Sequence, residues 1–118
     1  MVTLTAVPVE KLVVILIMPS SYDDKGYVNR YALGVLPSNS LVVMDTLTRA
    51  ALQDMRLPSG QKLATEVHML EDGLRADARQ LKRLENSFRR QPSGVKLVVG
   101  LVGVQTRQFP RACDLIAR

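Results

Sequence analysis

Three segments of the chain have the hydrophobic pattern of β-strands. Residues 10–19 (EKLVVILIMP) and 95–105 (VKLVVGLVGVQ) are apolar almost without interruption, which predicts strands buried on both faces. Residues 62–72 (KLATEVHMLED) instead alternate, which predicts a half-buried edge strand. The alternating side chains of this segment are Leu63, Val67 and Met69 on one face, with Glu66 and His68 on the other.

Three further segments place hydrophobic residues at helical spacing. Residues 38–55 (SNSLVVMDTLTRAALQDM) begin with Ser38 and Ser40, either of which suits a helix N-cap. The predicted inward face of this helix holds Leu41, Met44, Leu47 and Ala51. The helix predicted over residues 73–90 has a face of Leu74, Ala78, Leu81, Leu84 and Phe88. A third helix starts near Pro110, which the first turn tolerates.

The order strand, helix, strand, helix, strand, helix predicts an α/β fold with parallel strands and right-handed crossovers. Strand 1 is expected between the other two, giving the spatial order 2-1-3. This is the first half of the flavodoxin-like (Rossmann-like) three-layer order 2-1-3-4-5, and it leaves the outer edge of strand 3 bare. Residues 1–8 are expected to be a flexible lead-in, and residues 9–118 a partial domain of this type.

A ligand site is predicted where the winding of such a sheet reverses, beyond the carboxyl ends of strands 1 and 3. The loops at these two places are residues 19–31 (PSSYDDKGYVNRY) and 104–111 (VQTRQFPR). No G-x-G-x-x-G turn is present, and strand 3 lacks the terminal Asp that a phosphate-receiving response regulator needs. Asp23 and Asp24 are carboxylates that would repel the phosphate of a flavin. We favour an Asx-type turn over a metal site for these two residues.

The composition limits the environment and the chemistry. A single cysteine excludes an intrachain disulfide and favours the cytoplasm, and no apolar run approaches the roughly 20 residues of a membrane helix. The net charge of +5 is concentrated around residues 75–90, which lack interleaved aromatics and are interpreted as a solvated helix face rather than a nucleic-acid site. His68 and Cys113 are expected to be structural, Cys113 as a small core residue. No nucleophile, base and orienting group occur together, so we do not expect an enzyme by itself.

The two loops and the segment between them resemble a known family. Strand 1 leads into a Pro-Ser, Tyr-Asp, Gly-Tyr loop and then through Pro-Ser-Asn-Ser-Leu into helix 1, and strand 3 leads through Gly-Val-Gln into Gln-Phe-Pro-Arg-Ala. The residues that carry this pattern are Pro19, Ser20, Tyr22, Asp23, Asp24, Gly26, Tyr27, Pro37, Ser38, Asn39, Ser40, Leu41, Gly103, Val104, Gln105, Gln108, Phe109, Pro110, Arg111 and Ala112. Over roughly residues 10–118 the chain resembles the N-terminal cobalamin-binding domain of cobalamin-dependent radical S-adenosylmethionine proteins.

The resemblance implies that a corrin lies at the carboxyl ends of strands 1 and 3. The cofactor-binding residues that it implies are Ser21, Tyr22, Asp23, Gly26, Tyr27, Ser38, Asn39, Gln105, Thr106 and Phe109. The family continues through strands 4 and 5 and a radical domain with a three-cysteine iron–sulfur motif. With one cysteine, this chain is not expected to hold that cluster. The Asp-x-His-x-x-Gly signature is also absent, so no histidine from the strand 1 loop is expected as lower ligand of the cobalt.

Two other functions remain open at the level of sequence. One is a cofactor-free α/β interaction module that associates through the edge of strand 3. The other is a nucleic-acid contact through the basic helix over residues 75–90. The expected partners of the cobalamin hypothesis are cobalamin itself and either a radical S-adenosylmethionine domain or a second copy of the chain.

Overall fold

The computed structural model describes residues 10–31, 39–90 and 94–117. The predicted lead-in over residues 1–8 lies outside these ranges. The strands are β1 (Lys11–Met18), β2 (Ala64–Glu71) and β3 (Val95–Leu101), and the helices are α1 (Asn39–Leu52), α2 (Arg75–Arg89) and α3 (Phe109–Ile116).

The three strands form one parallel sheet in the order β2-β1-β3. Ile15 at the centre of β1 pairs with His68 of β2 and with Val99 of β3. The predicted α/β class and the strand order 2-1-3 of a flavodoxin-like half-domain are therefore confirmed.

β1 forms the middle of the core because its five central residues, Val13 to Ile17, are buried. Successive side chains of a strand point to opposite faces, so β1 contributes to two separate hydrophobic clusters. The cluster on the α2 and α3 face contains Val13, Ile15, Ile17, Leu70 and Leu81, with Leu115 packed against it. The cluster on the α1 face contains Val14, Leu16, Leu41, Leu52 and Val102.

The inward face of α1 differs from the prediction. Leu41 is buried as predicted, and Leu52 is buried too, whereas the other predicted positions, Met44, Leu47 and Ala51, are exposed, Leu47 to 59%. The half-buried positions between the two leucines are Val42, Asp45 and Thr48. Apolar residues occur on more than one side of α1, so their spacing identified Leu41 but not the rest of the buried face. Ser40 lies inside the helix rather than at its cap, and Ser38 is outside the described residues.

The burial of β2 and β3 also differs from the prediction. β2 is an edge strand as expected, but both of its faces are partly covered, and Leu70 is buried under α2 on the face expected to be polar. β3 was expected to be buried on both faces, yet Val98 is 44% and Val99 is 49% exposed. The reason is the position of β3: within the described residues it has β1 on one side and no strand on the other.

The basic residues of α2 lie on a solvated face, as predicted. The exposed residues are Arg75, Arg79, Lys82, Arg83, Arg89 and Arg90, and the apolar side of the helix packs through Leu81, Leu84 and Phe88. Cys113, predicted to be a small core residue, is instead an exposed free thiol because it lies on the solvent side of α3. Among the described helices, none combines the length and apolar character needed to cross a membrane.

Candidate functional site

The loop after β1 folds into a small hairpin, which we call the Ser21–Asn29 hairpin. Tyr22 and Val28 form an antiparallel bridge, and Asn29 N–H donates to Ser21 O over 2.8 Å. The turn is an Asx turn, because Asp23 Oδ1 accepts the N–H groups of residues 25 and 27, each at 2.9 Å. Gly26 has φ = 84°, a value that L side chains rarely adopt. The carboxylate of Asp23 therefore shapes the loop, as the Asx interpretation predicted.

The carboxyl end of β2 is joined to α3 by a buried ion pair between Asp72 and Arg111. Arg111 Nε donates to Asp72 Oδ2 over 2.8 Å, and its Nη2 donates to Oδ1 over 3.0 Å, a bidentate geometry. The N–H of Ser20 adds a third hydrogen bond to Asp72 Oδ2 at 3.1 Å, and Arg30 Nη2 lies 3.8 Å from Oδ1. One carboxylate thus holds together the start of the β1 loop, the β2 end and the first turn of α3.

The charges of this ion pair are stabilised in the folded protein. Burial alone would raise the pKa of Asp72, but hydrogen bonds from Arg111 and Ser20 and the charges of Arg111 and Arg30 outweigh it. The pKa of Asp72 is therefore lowered from its ordinary value of 3.8. The hydrogen bond to Asp72 is also the main cause that raises the pKa of Arg111, against the opposing effect of burial. Both groups remain ionised at neutral pH.

The hairpin contacts α3 directly through Tyr22. The Tyr22 hydroxyl donates to Asp114 Oδ2, and Tyr22 is also hydrogen-bonded to Arg111. Tyr22, one of the predicted cofactor-binding residues, is therefore tied to two residues of α3. Tyr22 orients the hairpin against the helix that follows β3.

A second contact fixes Tyr31 over the turn between β2 and α2. Its hydroxyl donates to Glu71 Oε2 over 2.9 Å, and its backbone N–H donates to Gly73 O over 2.8 Å. Burial, the hydrogen bond to Glu71, and the charges of Glu71 and Asp77 raise the pKa of Tyr31. A Cβ on Gly73 would lie 2.8 Å from Tyr31 Cε1, so glycine at this position allows the close approach of the ring.

These contacts enclose a polar cleft of about 340 Å³ at the carboxyl edge of the sheet. Its lining includes Ser20, Ser21, Tyr31, Glu71, Gly73 and Gln108. Gln108 Oε1 accepts the N–H of Gln105 over 3.0 Å, which leaves the amide NH2 group of Gln108 without a partner among the described residues. The cleft therefore presents hydroxyl, amide and carboxylate groups at the predicted switch point.

Beside this cleft, the loop after β3 forms a shallow, open depression. Its lining residues are Val104, Gln105, Thr106, Phe109 and Pro110. Phe109 is 62% exposed and Tyr27, in the hairpin, is 70% exposed. The two predicted loops thus carry three exposed aromatic side chains, namely Tyr27, Phe109 and, to 44%, Tyr31, whose hydroxyl is held by Glu71.

The predicted site residues are only partly brought together. Ser21 lines the cleft, whereas Gln105, Thr106 and Phe109 line the separate depression. Asn39 is exposed at the start of α1 and lines neither. Ser38 lies outside the described residues. The chain's only histidine, His68, is far from this edge in the register of β2 and faces Gln80 Nε2 at 3.4 Å.

Sequence reasoning missed the groups that organise the site, namely Asp72, Arg30, Tyr31 and Glu71. The only available signal was the acidic pair at the end of the alternating strand, which places Glu71 and Asp72 at the carboxyl edge of a parallel sheet. Arg111 was noted as part of a motif but not as the partner of Asp72. The described residues contain no group of three or more side chains positioned to hold a metal ion.

Comparison of the chain with protein-family models, with curated proteins and with solved structures found no match in any of the three. The functional argument therefore depends on the fold, on the geometry of the carboxyl edge and on the sequence resemblance described above.

Proposed function

We propose that the chain is a cobalamin-binding module, or part of one, that takes the corrin at the carboxyl edge of its sheet. The observation that carries the proposal is the pair of exposed aromatic side chains, Tyr27 and Phe109, on the loops after β1 and β3. Both loops lie at the carboxyl ends of the strands, where open α/β sheets bind ligands, and Ser21 and Gln108 of the same two loops line the polar cleft.

The residues at this edge fit a corrin in their chemistry. A corrin is a broad, flat ring with amide side chains, and it needs apolar surface for the ring and hydrogen-bonding groups for the periphery. Tyr27, Val104 and Phe109 offer exposed apolar surface, and Ser21 and Gln108 offer a hydroxyl and an amide. A cleft of about 340 Å³ is smaller than the whole cofactor, so it would receive side chains of the ring rather than enclose it.

Bound cobalamin supplies a cobalt centre that makes and breaks bonds to carbon. The chain would contribute binding and orientation, and we propose that it is not an enzyme by itself but serves a radical S-adenosylmethionine domain in the cytoplasm. The β1 loop contains no histidine, and His68 lies on β2 beside Gln80 of α2, so the corrin would bind here without a lower-ligand histidine from that loop.

Co-elution with hydroxocobalamin tests the proposal. The purified chain is mixed with the cofactor and run on a size-exclusion column while protein and corrin absorbance are followed together. We expect the corrin to co-elute with the protein at stoichiometric level. Elution of all the corrin as free small molecule from a folded protein would contradict the proposal.

Matched variants locate the binding surface. Tyr27→Ala and Phe109→Ala should each weaken binding about tenfold, because truncating a central aromatic contact typically costs more than about 1 kcal/mol. Ile116→Ala is the control, since Ile116 is 74% exposed but lies at the far end of α3. Equal weakening by all three substitutions would show that the aromatic residues of the carboxyl edge have no specific role.

A second candidate comes from a different class, a cofactor-free α/β interaction module that associates through β3. The observation that favours it is the exposure of Val98 and Val99 on opposite faces of an edge strand. This candidate predicts association of the protein without any cofactor, together with free elution of the corrin.

A further inference from the structure

The outer edge of β3 exposes backbone groups in a regular pattern. Lys11 N–H donates to Gly94 O, and Val102 N–H donates to Ile17 O, so residues 94 and 102 direct their backbone groups towards β1. Along a strand, the backbone N–H and C=O groups of successive residues point alternately to one side and to the other. The even-numbered residues of β3 therefore face β1, and Leu97, Val99 and Leu101 face away from it.

Exposed apolar side chains lie on both faces of β3, next to these backbone groups. Val98 lies on the same face of the sheet as α1. It is 44% exposed because α1 packs over β1 and β2 rather than over β3. Val99 points to the opposite face, where an apolar groove of about 300 Å³ runs between Phe88 and Leu115 over Leu97. A strand added beside β3 would cover both surfaces at once.

We propose that the occupant of this edge is a second copy of β3, paired antiparallel about a twofold axis through Val98. Val98 is the midpoint of Val95–Leu101, and this register pairs the central residues of the strand, Lys96 to Gly100, with those of the copy. Val98 then faces Val98 of the copy, and Leu97 faces Val99 of the copy. The second pairing joins residues whose backbone groups both point outwards, as a hydrogen-bonded antiparallel pair requires.

The charge pattern of β3 suits this register. Lys96 is the only charged residue of the strand, and it falls opposite Gly100 of the copy, which has no side chain. The two lysines are then four residues apart along the ladder, or about 14 Å at about 3.4 Å per residue. That separation exceeds the Debye length of about 8 Å at physiological salt, so the two charges repel only weakly. A register centred on Leu97 would halve this distance.

The resulting assembly is a six-stranded sheet in the order β2-β1-β3-β3-β1-β2, continuous across the twofold axis. It deepens the second candidate function by naming the partner, and it does not depend on the corrin. The dimer is tested without cofactor. If no dimer forms, the cobalamin proposal is unaffected and is judged by the co-elution experiment alone.

Sedimentation of the full chain tests the proposal. We expect a species of twice the 13.1 kDa chain mass at micromolar concentration. V98K places two lysines against each other on the axis and should raise the dissociation constant at least about 100-fold. V43K is the matched control, because Val43 is 46% exposed on α1 and should leave the dimer intact. A wild-type chain that is monomeric at every concentration, or a V98K chain that dimerises as well as wild type, overturns the proposal.

Mixing opposite charges tests the register itself. V98E should be monomeric alone for the same reason as V98K, whereas an equimolar mixture of the two should dimerise because opposite charges then meet on the axis. Folded variants that stay monomeric when mixed would overturn a register centred on Val98.

A proline variant avoids the risk that a charged strand fails to fold. The N–H of Val99 points away from β1 and has no acceptor in residues 10–31, 39–90 and 94–117, so V99P removes a donor that the dimer needs, and edge strands tolerate proline. V99T keeps the donor and the shape of the side chain. We expect V99P to be monomeric with an unchanged circular dichroism spectrum and V99T to be dimeric. Dimerisation of both variants would overturn the proposal.

Discussion

At the scale of single residues, the ion pair between Asp72 and Arg111 is the group on which the carboxyl edge most depends. Asp72 is 1% and Arg111 is 8% exposed, so each charge is compensated inside the protein rather than by water. Removing one partner of a buried pair leaves the other uncompensated, which typically costs about 3–5 kcal/mol. Such a cost is comparable to much of the stability of a small domain.

We therefore expect Arg111→Met to lower the free energy of unfolding by about 3 kcal/mol in urea denaturation. Arg49→Met is the control, because Arg49 is 55% exposed, and its ion pair with Asp45 and its hydrogen bond to Val67 O should together contribute only about 1 kcal/mol. The double variant Asp72→Leu with Arg111→Met should recover part of the loss, since it removes both buried charges but also the acceptor of the Ser20 N–H. Equal losses for Arg111→Met and Arg49→Met would contradict the structural role of the buried pair.

The lowered pKa of Asp72 also predicts how stability responds to acid. The folded state binds a proton at Asp72 less readily than the unfolded state, so the unfolded state holds more protons as the pH falls through 3.8. The contribution of Asp72 is therefore fully present above this value and is lost as the pH falls towards its lower folded pKa. Urea midpoints measured across this range should fall more steeply for wild type than for Asp72→Asn. Parallel curves would contradict the lowered pKa.

At the scale of elements, the sequence predicts the burial of a segment best when all of its faces have the same environment. β1 is unbroken in its hydrophobicity because both faces are covered, so its position was predictable from residues 10–19. α1 has apolar residues on several sides, and the spacing grouped the buried Leu41 with the exposed Met44 and Leu47. The Asp72–Arg111 pair was not predictable, because 39 residues separate the partners and no local spacing rule relates them.

The orientation of α1 is tested by two identical substitutions. Leu41→Ala should cost about 2–5 kcal/mol, since Leu41 is 1% exposed and its loss leaves a cavity against β1. Leu47→Ala should change stability by less than about 0.5 kcal/mol, because Leu47 is 59% exposed. Both are measured as the free energy of unfolding. The sequence spacing placed both residues on the inward face, so equally large losses for the two substitutions would restore that prediction.

At the scale of the whole molecule, the sheet is asymmetric in how its two edges are protected. β2 is covered by α1 on one face and α2 on the other, and its end is tied to the β1 loop through Asp72. β3 is less covered on both faces, although its hydrophobicity equals that of a central strand. A strand of continuous apolar residues is typical of a position that is covered on both faces. The exposed fractions of the β3 side chains show how much of this cover the described residues provide. The mismatch between the two supports the proposal that β3 pairs with a second copy.

Amide hydrogen exchange, read by NMR, reports this asymmetry residue by residue. In the monomer, the N–H groups of Val98 and Gly100 face β1 and should exchange slowly, whereas those of Leu97 and Val99 face outwards and should exchange rapidly. Raising the protein concentration should slow Leu97 and Val99 selectively, because pairing with a second β3 gives only these outward groups new acceptors. V98K, held monomeric by charge repulsion, should keep the alternating pattern at all concentrations. Uniform protection of the β3 amides in V98K would mean that the outer edge of β3 is already paired within a single chain. That edge could then not pair with a second copy, and the twofold sheet could not form.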